Sequence, residues 1–432
     1  VNTDTLTLQQ CLDIAVKNNL TVKQKNTDAQ LANVDLAQSK ENLLPYITGN
    51  LNRQLNQGRG INSVTNTYVN QSQTNDSYSL SGGMTLFNGF SLQNAIKAAS
   101  LNYQAGKMDF QSAKDVVTVN VITGYLSILN AQESVRATKS QMAVAQENVD
   151  RLEILEKEGA NKAASDLTDF KGTLASNQVA VVNAQNILDA AKLNLFQLMN
   201  ISYRPDAQFQ KLNAEELTGD YTVSADQVYE TALQQLASVK AATLRRESAE
   251  KAYRSVQGFL WPTLYLNGGM FTGYSSTAKK SVLVDTTTVF DNINYRDQFK
   301  NNYGTYVQVG LNIPIFTNRV KYNAVSKAKI NLLNYRDIED NTKIVLKQNV
   351  EQAYYNMRAA YKRYQALNGQ VAAYTESYRI YKLRFDAGIL TSVDFIIAKN
   401  NLDGANLNLI SARYDYFIDS KILDYYQGKL SF

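Results

Sequence analysis

The four prolines of this 432-residue chain stand at positions 45, 205, 262 and 314, leaving proline-free runs of 159 residues (46 to 204) and 118 residues (315 to 432). Proline removes a backbone donor and clashes with the preceding turn, so runs of this length permit helices far longer than usual. The same landmarks disclose an internal repeat. Leu44-Pro45 pairs with Trp261-Pro262 at an offset of 217. Leu86-Phe87-Asn88 pairs with Ile315-Phe316-Thr317, Ala95 with Ala324 and Gly159 with Gly388, all at 229, and Asp166-Leu167 pairs with Asp394-Phe395 at 228. Because the order is preserved, the chain reads as two copies of one unit of roughly 210 residues. The first repeat spans 1–200, a linker 201–222 and the second repeat 223–432, with about 12 extra residues between Pro262 and Ile315.

Each repeat carries three helical runs: 7–43, 90–157 and 164–199, matched by 224–260, 319–386 and 392–427. The third run has the clearest period. Leu167, Phe170, Leu174, Asn177, Val181, Ala184, Leu188, Ala191, Leu195 and Leu198 alternate steps of three and four, the seam of a coiled coil. Its counterpart runs from Phe395 to Tyr426, and Met142, Ala145, Val149 and Leu152 match Val371, Tyr374, Tyr378 and Tyr381. The second and third runs therefore pair as antiparallel hairpins turning near Gly159 and Gly388. At about 1.5 Å per residue the second run spans on the order of 100 Å, more than a compact domain holds.

Between the first and second helices the period falls from 3.5 to 2. Strands are expected at about 46–55, 77–87, 263–274 and 303–313, each with one apolar and one polar face. That length and alternation are those of transmembrane β-barrel strands. Tyr46, Phe87, Trp261 and Phe316 stand at the helix-proximal strand ends, where an aromatic girdle would lie. The segments 56–75 and 275–302, rich in Asn, Gln, Ser, Thr and Gly, read as exposed loops. Four antiparallel strands cannot close a barrel, and an open edge in lipid leaves unpaired backbone groups. Oligomerisation follows, in two, three or more copies. The fold class is an α+β membrane protein of two tandem repeats, with long antiparallel coiled-coil helices and four transmembrane strands per chain.

Composition narrows the function. There is no histidine, which removes the commonest general base and zinc ligand. An enzyme is the remotest option, and neither a catalytic, cofactor-binding nor metal site is expected. A net charge of +5 without basic runs leaves no electrostatic footprint for nucleic acid. Cys11, three residues after Leu8 on a helical apolar stripe, reads as a small buried hydrophobe. No stretch is apolar enough for a transmembrane helix. Val1 opens without Met or an apolar leader, which fits an exported, processed product and a trimmed chain equally.

The element order helix, strand, strand, long helix, turn, helix, given twice, resembles the TolC family of outer-membrane efflux proteins. The resemblance rests on the openings LTLQQCLDIAVKNN and SADQVYETALQQ and on the segment FDAGILTSVDFIIAKNNLDGANLNLISARYDYFIDSKILDYYQGKL. It covers essentially the whole chain, and Gly388, Asp394, Ala398, Leu402, Ala405 and Leu407 are its most specific part. It implies a homotrimer in the outer membrane of a Gram-negative bacterium, with a 12-stranded β-barrel and a 12-helix periplasmic tunnel. A periplasmic adaptor protein, an inner-membrane pump and outer-membrane lipid would be its partners. The expected function is the passive exit duct of a tripartite efflux or type I secretion system, gated at its periplasmic tip. The rival is a non-pore structural or adhesive coiled-coil protein, which has no use for four alternating strands.

In the family, acidic residues at the start of the last helix ring the tunnel tip. Asp394 matches one of them, while the second position is Ile397 here; Asp166 and Asp169 of the first repeat offer the same spacing. Where the best-known member has a latch tyrosine and arginine, this chain has Phe385 and Leu390, leaving Asp386 and Arg384 for a different latch. Asp394, with Ser392, also reads as a helix N-cap, compatibly with the ring, and Ser165-Asp166 as another. Asp169 is the better second acidic position. Gly159 and Gly388 permit tight coil turns, and with Ile389 and Leu390 they are the family-implied adaptor-docking tips. The Tyr374, Tyr378 and Tyr381 stripe reads as coil packing, and Glu156 with Glu158 as exposed charge.

Overall fold

A computed structural model of the protein describes residues 5–61, 66–158, 163–211, 221–284 and 287–429. The first repeat contains β1 (Thr5–Leu6), α1 (Leu8–Asn18), α2 (Leu20–Glu41), β2 (Tyr46–Ile61), β3 (Tyr68–Phe87), α3 (Ser91–Lys157) and α4 (Ala163–Leu198). After β4 (Gln208–Phe209), the second contains α5 (Ala225–Gln235), α6 (Ala237–Gln257), β5 (Thr263–Ser275), β6 (Lys279–Val284), β7 (Thr287–Asn292), α7 (Tyr295–Asn301), β8 (Gly304–Asn312), α8 (Val320–Asp386) and α9 (Ser392–Tyr426). The repeat is visible in the lengths: α3 and α8 have 67 residues each, and α4 and α9 have 36 and 35. It is visible in the starts as well. Thr7 with Gln10 and Ser224 with Gln227 form matching capping boxes on two 11-residue helices.

The expected single helix over 7–43 is broken. Asn19 adopts an extended backbone after α1, and its Oδ1 accepts from the Thr21 and Val22 amides, capping α2. Leu236 makes the corresponding break between α5 and α6. The expected loops also carry structure. β2 and β3 extend to Ile61 and back to Tyr68, and 275–302 holds the β6/β7 hairpin and α7.

Two compact units cut across the repeats: residues 1–30, 104–244 and 337–432 form one, and residues 31–103 and 245–336 the other. Each unit draws on both repeats, unlike the division into 1–200 and 223–432, because an apolar stripe of one repeat is buried by the matching part of the other.

The first unit is helical, with cores that use the predicted seams. Leu167, Phe170, Ala184, Leu188 and Leu195 of α4 are buried, as are Ala145, Val149 and Leu152 of α3. The largest cluster joins α1, mid-α3 and the end of α4 around Tyr125, Leu126, Leu195, Phe196 and Met199. Cys11 lies fully buried within it, and burial raises its thiol pKa to about 12, so it behaves as an apolar side chain. The Tyr125 hydroxyl donates to the carbonyls of Leu6 (3.1 Å) and Gln210 (2.7 Å), tying the parallel β1/β4 pair to α3.

The second unit is built on an antiparallel sheet in the order β2-β3-β5-β8. Cross-strand partners share a face. Ile47, Leu51, Leu80, Leu266, Met270, Val307 and Val309 therefore lie on one face, and Thr48, Asn50, Asn52, Ser77, Ser79, Ser81, Asn267 and Gln308 on the other. The polar face also carries aromatics set over glycines. Tyr265 lies against Gly310 so closely that a Cβ there would fall 2.2 Å from the ring. Among the described residues no further strand pairs with the outer edges of β2 or β8.

Register also separates the four expected girdle aromatics. Tyr46 pairs with Gly83 on the polar face, a correction to its place in an outward girdle, because strand alternation puts Ile47 on the apolar side instead. A bulge after Thr85 turns Phe87 to the apolar face opposite Leu264. Trp261 and Phe316 are exposed just outside β5 and β8.

Removing the Tyr125 hydroxyl takes its donor from the Gln210 carbonyl, while the Leu6 carbonyl keeps the Gln210 amide, so Tyr125→Phe is expected to cost about 1–2 kcal/mol. Denaturant unfolding followed by circular dichroism measures this, and an unchanged midpoint would contradict it.

Candidate functional site

The candidate residues at the helix tips lie in the first unit. Here α3 and α4 of the first repeat meet α8 and α9 of the second around an aromatic cluster. Phe385 stacks on Phe395 at 4.8 Å between centroids, and Phe170 stands 5.8 and 5.9 Å from these two rings. Tyr378 is 5.6 Å from Phe395, and Val149, Leu152 and Leu167 complete the core, with Leu390 against it. Phe385 is thus a packing residue that joins the two repeats.

The α8–α9 turn is fixed by the backbone. Gly388 has φ +74°, a conformation costly to residues with a Cβ. Its amide donates to the Phe385 carbonyl, and that of Ile389 to the Arg384 carbonyl, a Schellman closure of α8. Ile389 projects with 78% of its surface exposed. The matching Gly159 lies outside the described residues.

Polar links frame the aromatic cluster. Arg151 of α3 donates to Asp386 of α8 at 2.9 Å, and Lys382 donates to the second carboxylate oxygen, also at 2.9 Å. Their hydrogen bonds, Lys382 first, hold the Asp386 carboxyl below its ordinary pKa of 3.8. Asp386 thus pairs with Arg151 and Lys382, not with Arg384, which contributes its carbonyl to the turn. Arg151 escapes a reading of the sequence because its partner lies 235 positions away. Its guanidinium also stands 5.9 Å from the Phe385 ring.

A second link runs from the buried Ser392 of α9, whose hydroxyl donates to Asp169 of α4 at 2.9 Å. Asp169 is thus partnered at the tip. Asp394 is exposed in the first turn of α9. It does not cap the helix, and neither does Ser392. The N-cap is Thr391, whose Oγ1 accepts from the Asp394 amide (3.2 Å) and donates to the Asp394 carboxylate (2.6 Å). Ser165 and Asp166 are likewise not caps, because α4 already begins at Ala163; Asp166 sits half-buried in its first turn. Carboxylates at such positions are favoured by the positive helix end.

Magnitudes rank these contacts. An ion pair as exposed as Arg151–Asp386, with 46% and 36% of the side chains accessible, is worth roughly 0–1 kcal/mol. Burying Phe170 or Phe395 is worth about 2–3 kcal/mol each. Aromatic packing holds the tip, and the polar links orient it and can be broken cheaply.

Further along the same helices, a cleft of about 500 Å³ opens between α3 and α9. Arg413 pairs there with Glu133, which also accepts from the Tyr414 hydroxyl, and Lys399 with Asp403; Arg136 lines the cleft as well. Burial raises the Asp403 pKa despite Lys399 beside it. The Arg413–Glu133 pair fastens α9 to α3, and the Lys399–Asp403 pair lies within α9.

Comparison with known proteins resolves the family. The sequence model described as outer membrane efflux protein matches residues 11–200 and 228–428. The chain belongs to the outer membrane efflux protein family. Outer membrane protein TolC of Escherichia coli (strain K12) is 24% identical over 314 residues, covering 72% of this chain and 61% of that relative. The chain thus matches less than two thirds of that relative's length. Outer membrane efflux protein BepC of Brucella suis biovar 1 is 22% identical over 436 residues, covering 98% of this chain and 86% of BepC. The fold is shared with the Campylobacter jejuni CmeC outer membrane channel, at TM-score 0.79 and 18% identity over 99% of this chain and 87% of the other. It is shared too with VceC from Vibrio cholerae, at TM-score 0.80 and 14% identity over 98% and 96%. This outer membrane efflux fold is α+β, as the repeat and strand pattern implies.

Because the Asp386 pKa is depressed by folding, its contribution is present above pH 3.8 and is lost as pH falls through the lower folded value. Spin labels on α3 and α8 near the tip are expected to hold one distance at neutral pH and to broaden only below about pH 3.8. Asp386→Asn should show the broadened distribution at every pH, and a variant distribution as narrow as the parent's would contradict the link.

Proposed function

We propose that this protein is the outer-membrane exit duct of a tripartite efflux or type I secretion system. One observation carries the reading: a sheet with an apolar face, a polar face and no pairing strand on either outer edge among the described residues. In lipid, each edge group left unpaired costs several kcal/mol, so the edges are closed by copies of the same chain. Eight strands leave an interior just filled by side chains, whereas twelve, from three copies, leave a lumen. The polar face then lines the pore and the apolar face meets outer-membrane lipid. Family membership and the shared fold support the trimer, and they favour the duct over a non-pore structural or adhesive protein.

In this reading the long helices form a periplasmic tunnel of twelve helices whose closed end is the tip cluster. Asp394, exposed and repeated three times, forms a carboxylate ring, with Asp169 and Asp166 behind it. Phe385 and the Arg151–Asp386 pair hold the coils together. An adaptor protein engaging the projecting turns at Gly388, Ile389 and Leu390, and at Gly159, replaces these contacts and opens the duct. An inner-membrane pump supplies the energy. The weakness of the ion pair suits it to release.

A ring of three carboxylates attracts cations and is screened by salt. In planar bilayers the protein should form cation-selective channels blocked by multivalent cations. Asp394→Asn should weaken both properties, and unchanged single-channel behaviour would count against the ring. Arg151→Ala should raise the open probability or conductance of the isolated channel. A stable monomer in the membrane, found by native mass or cross-linking, would defeat the trimeric duct itself.

A further inference from the structure

The short helix α7 lies on the apolar face of the sheet, at the strand ends away from α2, α3 and α6. Tyr295 packs 4.7 Å from the Tyr274 ring, and Phe299 is 5.7 Å from Tyr78. Tyr78 pairs with Thr272, and Asp76 with Tyr274, so these residues share the face that carries Leu80 and Met270. The helix is firmly seated. Gln298, only 2% exposed, donates to the carbonyls of Ser275 (2.9 Å) and Ile293 (2.8 Å) and accepts from the Ser275 amide (2.8 Å). Thr272 donates to the Phe299 carbonyl (2.6 Å), and Asn302 to that of Gly273 (2.7 Å).

Beneath the helix is a charged pair that the apolar alternation does not predict. Arg53 grips Asp76 through two hydrogen bonds of 2.7 and 2.6 Å, the Tyr78 hydroxyl donates to Asp76 at 3.4 Å, and the Asp76 side chain is fully covered. From Tyr46 to Arg53 the strand advances about 24 Å, or about 18 Å of height at a tilt of ~40°. An outer-membrane apolar band is about 25 Å tall. The pair thus lies about 7 Å short of the far boundary of the band, and α7 shields its carboxylate from the hydrocarbon.

The outer side of α7 carries two cations, with the exposed Asp297 beside Lys300. At about 100° per residue, Tyr295 and Phe299 lie within about 100° of Gln298, whereas Arg296 and Lys300 lie about 160° and 200° round, facing directly away from the sheet. Both are exposed. Two cations four residues apart, flanked by half-exposed aromatics at an apolar boundary, match the amphipathic pattern that anchors helices at a charged membrane surface. The occupant must be anionic and must sit beside lipid chains. We propose that α7 is a docking site for the phosphate of an outer-leaflet lipid headgroup, held by Arg296 and Lys300. This rests on the proposed lipid-facing role of the apolar face.

The test uses the full-length trimer reconstituted in phosphatidylcholine bilayers with and without lipid A. Native mass spectrometry of the released protein should show lipid A retained in preference to phosphatidylcholine. At about fivefold per cation, Arg296→Gln with Lys300→Gln should weaken retention about thirtyfold. Retention by the parent should fall with salt, and the double variant should keep channel conductance. Equal retention by parent and variant, or no preference for lipid A in a conducting parent, overturns the headgroup site and leaves the duct standing. A parent that fails to enter bilayers at all overturns both.

Discussion

A four-stranded antiparallel sheet whose two outer edges have no pairing strand among the described residues is the constraint on which the protein's organisation depends. Inside a sheet every amide and carbonyl is satisfied by a neighbour. At the edges of β2 and β8 the same groups face outward along a full strand. Water satisfies such edges, and hydrocarbon does not. The exposed apolar face of Leu51, Val307, Val309 and Leu311 points to hydrocarbon, so burial of that face and pairing of those edges have to be met together. In the proposed duct, association of identical chains meets both.

The helical unit solves a different problem. Chains of 67 residues in one helix cannot be stabilised by propensity, and they are held by seams that two repeats bury against each other. At the tip this gives an aromatic cluster bordered by exposed ion pairs of small net worth, which in the proposed duct can be exchanged for other contacts. Phe170, Phe385 and Phe395 form the cluster, and Arg151, Lys382 and Asp386 the exchangeable part.

Much of this architecture is legible in the amino-acid sequence. The helix runs, the paired strands, the seam positions and the turn at Gly388 follow from periodicity and from the repeat, because these are local patterns read every two or every 3.5 residues. Boundaries and partners are less legible. The break at Asn19 is invisible to periodicity, since apolar spacing continues across it. Asp394 and Asp166 resemble caps by composition, yet the capping position is decided by which backbone turns first: Thr391 caps α9, and α4 is already helical at Ala163. Tyr46 resembles a girdle aromatic until strand register places it opposite Gly83.

By itself the sequence determined the repeat, the two kinds of element and their order, and the absence of histidine chemistry. These depend on residue type and spacing alone. Tertiary structure decided which side chains meet: Arg151 with Asp386, Ser392 with Asp169, and α7 with the face of Tyr78 and Tyr274. These pairs are separated by up to 235 residues, and α7 carries no period of its own. The reason is physical. A period reports which face of an element is apolar, whereas a partner is chosen by how two faces are brought together, and that information exists once the chain has folded.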